Sequence, residues 1–418
     1  MNKKPRLLII PAFRIYPTYS GGAVAQTCFL NEYIQSFETH IFLTSANVNP
    51  QNLTEFTQKY KGLHIHYLDL ANRKKTKNRL KAKFAMVWAL IVGQIIPTKS
   101  SGNSSLLSEL VPANKEYINY LSKIFEQKSF DIVLVEVFRN LSITPFLPKG
   151  PLKVYVSQEV QFLRIQSQLK ALGKTDQPFE KYIENYQESI EIPQMAKYDG
   201  IIVFSEQEAE RHKKYFGQPI KVSPFTAPDR LILKIAEHPK KIVLLGAESH
   251  IPNKEGIEWL LENGAVALKK IKLPIYVVGN WSLTTSKKWK KKYGVQFTGI
   301  VDDLDQFMLD AIHLAPVRFG GGLKTKVMEA MKLGVPTVAT THATEGLPVE
   351  NYKHLIITDS AKGFVDNAMK LVENGELRSS LSENSIELMN SEFSVTKLGK
   401  LRVAAIKDIY KEVKQADL

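Results

Sequence analysis

Between Leu314 and Val338 the chain reads LAPVRFGGGLKTKVMEAMKLGVPTV. An apolar run that suits a strand ends at Pro316. Gly320, Gly321 and Gly322 follow, and a helical stretch then carries Lys324, Lys326 and Glu329 in its first turns. Glycine has no Cβ, so backbone N–H groups there can approach a ligand closely. The open amides and the positive macrodipole end of a helix start favour an anion, and Lys324 and Lys326 add point charges. The group that suits this set is a diphosphate. Glu329, about two turns into the helix, is placed to accept hydrogen bonds from both hydroxyls of a ribose. The same residues also read as a tight strand-to-helix turn followed by a solvated glutamate, and residue types alone leave both readings open.

These residues need a scaffold, and the sequence describes one. Short apolar runs at 6–11, 39–44, 64–68, 131–135, 153–157 and 200–204 alternate with helical stretches, among them a single helix over 21–36. Ser205, with Glu208 three residues on, reads as the N-cap of a helix over 205–216. A second series of strands follows at 241–245, 275–278, 295–298, 313–316, 336–339 and 354–357. Such alternation implies parallel sheets with helices on both faces. The three prolines of GQPIKVSPFTAP, 217–228, suggest an inter-domain linker. The expected fold is therefore α/β, with two doubly wound domains and a ligand cleft between facing sheet edges. An amphipathic helix over 394–414 closes the chain.

The glycine-rich stretch resembles the donor-site motif of retaining glycosyltransferase family 4, in a variant where a glycine loop precedes Lys-x-x-Glu-Ala-Met and Gly-x-Pro-x-Val. The match runs through Lys326, Glu329, Ala330, Met331, Gly334, Pro336 and Val338, then Ala339-Thr340 and Glu345-Gly346-Leu347. Leu245-Gly246, Pro252-Asn253, Gly256 to Leu260, Val277-Val278-Gly279 and Thr298 to Leu304 are similar to further blocks of that group, so the resemblance spans about 241–375. It implies the GT-B architecture: an acceptor-side domain over 1–218, a nucleotide-sugar-binding domain over 219–393, and a terminal helix over 394–418 crossing back to the first. It further implies transfer of a hexose-type sugar from a nucleoside diphosphate to an acceptor hydroxyl, with retained anomeric configuration.

On that resemblance, Lys324, Lys326 and Arg318 would stabilise the departing diphosphate with the amides of Gly320, Gly321, Gly322, Leu323 and Thr325. Glu329 would hold the ribose, and Gly246 and Gly279 would belong to the donor site. Gly21 and Gly22 would approach the donor phosphate from the first domain. Glu159 would position an acceptor hydroxyl or contact the donor sugar; it also reads as a glutamate stabilising a helix dipole. Two departures stand out. The family's Glu-x7-Glu pair has Gly321 in place of its first glutamate, and the histidine many relatives carry near 157–159 is absent. The lost glutamate keeps a second reading open, a GT-B protein without transfer activity that serves as a partner or scaffold in glycan assembly.

Other signals are weaker. Asp303-Leu304-Asp305 has the form of a metal-binding Asp-x-Asp, but a carboxylate-rich helix start explains it equally well. His64 and His66 share one face of a strand, and two ligands do not make a site. No metal and no tightly bound cofactor is expected, only the nucleotide-sugar donor as substrate. Lone Cys28 excludes an intrachain disulfide and suits a reducing compartment. No secretory signal and no spanning stretch is evident, which points to the cytoplasm. The excess of 56 Lys plus Arg over 42 Asp plus Glu gives net charge +14 and favours a polyanionic partner. Seven cations between Arg73 and Lys83, followed by the apolar run 84–96, could seat the chain on an anionic membrane surface; a solvated loop before a buried helix is the alternative. No nucleic-acid motif is present. The expected acceptor is a glycan or lipid-linked intermediate of surface polysaccharide synthesis.

Overall fold

The computed structural model describes residues 4–18, 20–70, 113–171, 173–229 and 238–416. The chain forms two compact units, residues 1–18 with 34–201 and residues 19–33 with 202–418. The basic–apolar segment 73–96 lies outside the described residues. Among the described residues, no helix is long and apolar enough to cross a membrane.

One sheet has seven strands: β1 (Arg6–Ile10), β2 (Glu38–Thr44), β3 (His64–Leu68), β4 (Ile132–Glu136), β5 (Leu152–Val156), β6 (Gly200–Val203) and β7 (Ile220–Val222), in the order β3-β2-β1-β4-β5-β6-β7. Leu7 to Ile10 and Val133 to Val135 are fully buried without alternation. That is the pattern of a parallel strand covered on both faces.

The other sheet has six strands: β8 (Lys241–Leu245), β9 (Ile275–Val278), β10 (Gln296–Gly299), β11 (Ala311–Ala315), β12 (Thr337–Ala339) and β13 (Ile356–Ile357), in the order β10-β9-β8-β11-β12-β13. All its pairings are parallel. The chain winds one way from β8 to β10 and the other way from β11 to β13. Neighbouring β8 and β11 therefore flank a topological switch point, and a doubly wound sheet opens its binding crevice at the carboxyl ends of such strands. Leu244, Ile312 and Leu314 pack there with Ile257, Leu260, Trp289 and Phe364. Each such buried side chain contributes about 1.5–3 kcal/mol, which holds the strand ends rigid.

Two local readings differ from the sequence analysis. The stretch 21–36 is two helices, Gly21–Thr27 and Leu30–Ser36. Near the break the Thr27 hydroxyl donates back to the Ala23 carbonyl at 2.8 Å, a competition that bends helices. The proline-rich segment is not linker throughout, because Ile220–Val222 forms β7, and Ser223 N–H continues the ladder to Val203 O at 2.8 Å. Asp303 caps the helix Leu304–Met308 by accepting from Gln306 N–H at 2.9 Å, in line with the helix-start reading of the Asp-x-Asp pattern. The helix over Glu206–Lys213 does begin at Ser205, whose hydroxyl accepts from Glu208 N–H at 3.2 Å.

The terminal helix Val395–Ala416 carries Arg402, fully buried. Its guanidinium donates to Ser223 Oγ at 2.7 Å and Ser223 O at 2.6 Å, and lies over the rings of Phe29 and Phe204.

Candidate functional site

The second unit brings most of the expected donor residues to the β8–β11 switch point. β11 ends at Ala315, and the chain turns through Gly320 (φ 113°) and Gly322 (φ 67°), backbone conformations that side-chain-bearing residues rarely adopt. The helix Thr325–Lys332 follows, with Lys324 at its N-cap and no side chain capping it. This is the uncapped helix start that favours an anion.

Lys326 sits one residue into that helix and reaches across the switch point. Its Nζ donates to the carbonyl of Leu245, the last residue of β8, at 2.9 Å. Burial lowers its pKa to about 7, with the Glu329 carboxylate opposing the shift. Gly246 follows directly: a Cβ there would lie 2.7 Å from Asn253 Cβ and 3.1 Å from Lys326 Nζ. Lys324 folds back over the turn, donating to Gly321 O at 3.2 Å and Gly322 O at 2.6 Å. Glu329 lies one turn beyond Thr325 and is half-buried.

Gly279 acts on the backbone. A Cβ there would fall 2.3 Å from Gly246 O, and that same carbonyl accepts from Trp281 Nε1 at 2.6 Å. Its absent side chain lets the β9 end pack against the β8 end. Gly21, first residue of helix Gly21–Thr27, belongs to the second unit and meets the helix Thr325–Lys332: a Cβ on Gly21 would lie 2.1 Å from Thr325 Oγ1. Gly22 follows within the same helix, its carbonyl accepting from Gln26 Nε2 at 3.1 Å.

Arg318 is engaged elsewhere. Its guanidinium forms a two-bond pair with Glu255 and lies 4.9 Å above the Trp259 ring. Glu159 belongs to the first unit. It accepts from Gln161 Nε2 at 2.8 Å and faces Arg164 Nε at 3.4 Å. The helix Gln161–Ala171 is capped instead by Glu191, which accepts from Gln161 N–H at 2.9 Å and Phe162 N–H at 3.1 Å. Burial raises the Glu191 pKa to about 7.

His342 and Glu248 carried no signal in the sequence. His342 stands against the Gly320 backbone, and its pKa is lowered by burial and by Lys324. Its Nδ1 faces Glu345 at 3.4 Å, and Glu345 also accepts from Arg211 at 2.5 Å. Glu248, after β8, accepts from Ser282 N–H at 2.7 Å and from Thr285 Oγ1 at 2.5 Å, and pairs with Lys254 at 3.0 Å. Burial raises its pKa, but these bonds outweigh burial and hold it at about 2. It fixes the β8 loop to the one after β9.

Two parallel α/β sheets, of seven and six strands, match the GT-B class of fold. Residues 239–374 match the family model described as glycosyl transferases group 1, and that match supports glycosyltransferase activity. No curated protein matches the sequence. Among solved structures, TarM of S. aureus, in complex with fondaparinux, α-GlcNAc-glycerol and UDP, is 12% identical with a TM-score of 0.65, over 96% of this chain and 99% of that one. HepE of Anabaena, in complex with UDP and glucose, is 12% identical with a TM-score of 0.64, over 97% and 100%. Sucrose-phosphate synthase of Thermosynechococcus elongatus is 12% identical with a TM-score of 0.67, over 99% and 100%.

Proposed function

We propose that this protein transfers a hexose-type sugar from a nucleoside-diphosphate sugar to an acceptor hydroxyl, with retention, in surface polysaccharide or glycolipid assembly. The observation that carries the donor half is the Lys326 ammonium at the β8–β11 switch point, beside an uncapped helix start and a glycine turn. On this reading Lys326 and Lys324 bind the diphosphate with the amides of 320–325, and Glu329 accepts from the ribose hydroxyls. Retaining chemistry and Glu329's role come from the resemblance to family 4.

Catalysis then rests on stabilising the departing diphosphate and on aligning donor with acceptor. The acceptor oxygen bonds to the anomeric carbon as the bond to phosphate breaks, and the departing phosphate takes the acceptor proton. No metal ion enters this account. Glu159 is the proposed acceptor-side contact, and Arg318 reaches phosphate only by leaving Glu255. Uridine nucleotides are the first donors to test, since TarM and HepE bind UDP. A lipid-linked acceptor suits a chain of net charge +14 working at the cytoplasmic face of a membrane. The domain division at 218/219, with a terminal helix returning to the first domain, belongs to the same proposal.

The test is a panel of UDP- and GDP-sugars, scored by thermal stabilisation of the protein and by release of the nucleoside diphosphate with and without glycan acceptors. One donor should stabilise the fold and turn over. A panel in which none binds would remove the reading.

A further inference from the structure

The first unit carries a side-chain cluster unrelated to the donor site, at one edge of its sheet. β2 and β3 pair in parallel with His40 opposite His64 and Phe42 opposite His66. Alternation puts Glu38 and His40 on one face of β2, and His64 and His66 on one face of β3. The pairing joins these faces. The His40 ring stacks on His64 with centroids 4.5 Å apart and on His66 with centroids 5.2 Å apart. His40 is fully buried and backed edge-on by Phe130, whereas His64 is exposed.

We propose that Glu38, His40 and His64 bind a divalent transition metal of the zinc class, with His66 as a positioning residue. One donor atom from each of the three lies within 4.8 Å of the other two. His40 Nε2 and Glu38 Oε1 are 3.4 Å apart, matching the roughly 3.3 Å between two donors of a tetrahedral zinc bound at about 2.0–2.1 Å. The other nitrogen of that ring, Nδ1, faces His66 Nε2 at 3.0 Å. An Nδ1–H donating to His66 leaves the Nε2 lone pair for the metal, the outer-shell bond that fixes tautomer and ring orientation in metal sites.

Arg6 plays the same outer part for the carboxylate, its Nε lying 3.1 Å and 3.0 Å from the two oxygens of Glu38. His64, exposed at the strand's start, completes the set by side-chain rotation and gives the ion its entry path. Water takes the fourth position. Two imidazoles and one carboxylate select zinc, nickel or copper over magnesium and calcium. The bound ion would tie edge strand β3 to β2, so its effect is on stability and not on transfer.

The experiment uses the full-length, tag-free chain, stripped with a chelator, incubated with Zn²⁺ and desalted. Metal content is read by mass spectrometry and Tm by scanning fluorimetry. Wild type should retain one zinc per chain and melt higher than the stripped protein. His64→Ala should lose both the zinc and the Tm rise while its stripped form melts like stripped wild type, because the residue is exposed. His238→Ala, an exposed histidine outside the cluster, should retain both. Wild type without retained zinc, or a His64→Ala chain that keeps it in full, overturns the proposal.

Discussion

Lys326 Nζ and the main-chain oxygen of Leu245 are 2.9 Å apart, so a cation from the helix after β11 rests on the carboxyl end of β8. The sheet reverses its winding between those two strands. A half-buried lysine whose hydrogen-bond partner is a neutral carbonyl is a poor way to stabilise a fold, since the Glu329 carboxylate offsets only part of the cost of burying the charge. It is a good way to await an anionic substrate.

Removing the amine should therefore hurt turnover and not folding. Lys326→Ala is expected to lower kcat by on the order of 10²–10³, the loss typical when a group stabilising transition-state charge is deleted. Tm should hold or rise. Steady-state kinetics and scanning fluorimetry on one preparation decide it, and near-normal turnover would remove Lys326 from the chemistry.

Protonation should follow the ligand. Burial brings the free-state pKa of Lys326 down to about 7, so the side chain is mostly neutral above that pH, while the unfolded chain holds its proton up to its ordinary value near 10.4. The unfolded state thus binds more protons between those values, and this residue's contribution to stability rises with pH there. A diphosphate favours the ammonium form. UDP binding at about pH 8 should take up close to one proton, and at about pH 6 almost none. Calorimetry in buffers of different ionisation enthalpy reads the uptake. Lys326→Met subtracts the nucleotide's own protonation, and equal uptake in both proteins would contradict the assignment.

Gly21 has a steric reason to be glycine, because a Cβ would collide with Thr325 Oγ1. Gly21→Ala should cost about 1–3 kcal/mol, the usual range for forced overpacking. Thr325→Ala in the same chain should restore part of it, as Thr325 Cβ would remain 2.9 Å from the new methyl. Chemical denaturation of the two single variants and the double variant measures the coupling.

Arg318 is expected to matter less than the lysines. It is paired with Glu255 and stacked on Trp259, a partly exposed pair worth at most about 1 kcal/mol. Arg318→Ala should change kcat/KM by less than about tenfold, roughly 1.4 kcal/mol. A loss matching that of Lys326→Ala would mean that the guanidinium leaves Glu255 for the donor phosphates.

How much of this was legible depended on whether the cause was local. The strands announce themselves because parallel strands buried on both faces must be continuously apolar, as Leu7 to Ile10 are. The glycine turn is legible because the positive φ at Gly320 and Gly322 demands that residue type. Partners distant in sequence were not legible. Glu255 stands sixty-three residues before Arg318, and Glu191 caps a helix that begins thirty residues earlier. His40 joins His64 and His66 only through the parallel register of β2 with β3. Strand β7, three residues long among prolines, left too short a period to detect.

The central claim is that the turn 320–322 and the helix start beyond it hold a nucleoside diphosphate. A crystal structure of the full chain with UDP tests it most directly. The account predicts both phosphates within hydrogen-bonding distance of Lys324 Nζ, Lys326 Nζ and the amides of 320–325, with Lys326 released from the Leu245 carbonyl and the ribose hydroxyls on Glu329. UDP seated elsewhere in the chain, with Lys326 still bonded to Leu245, would contradict it.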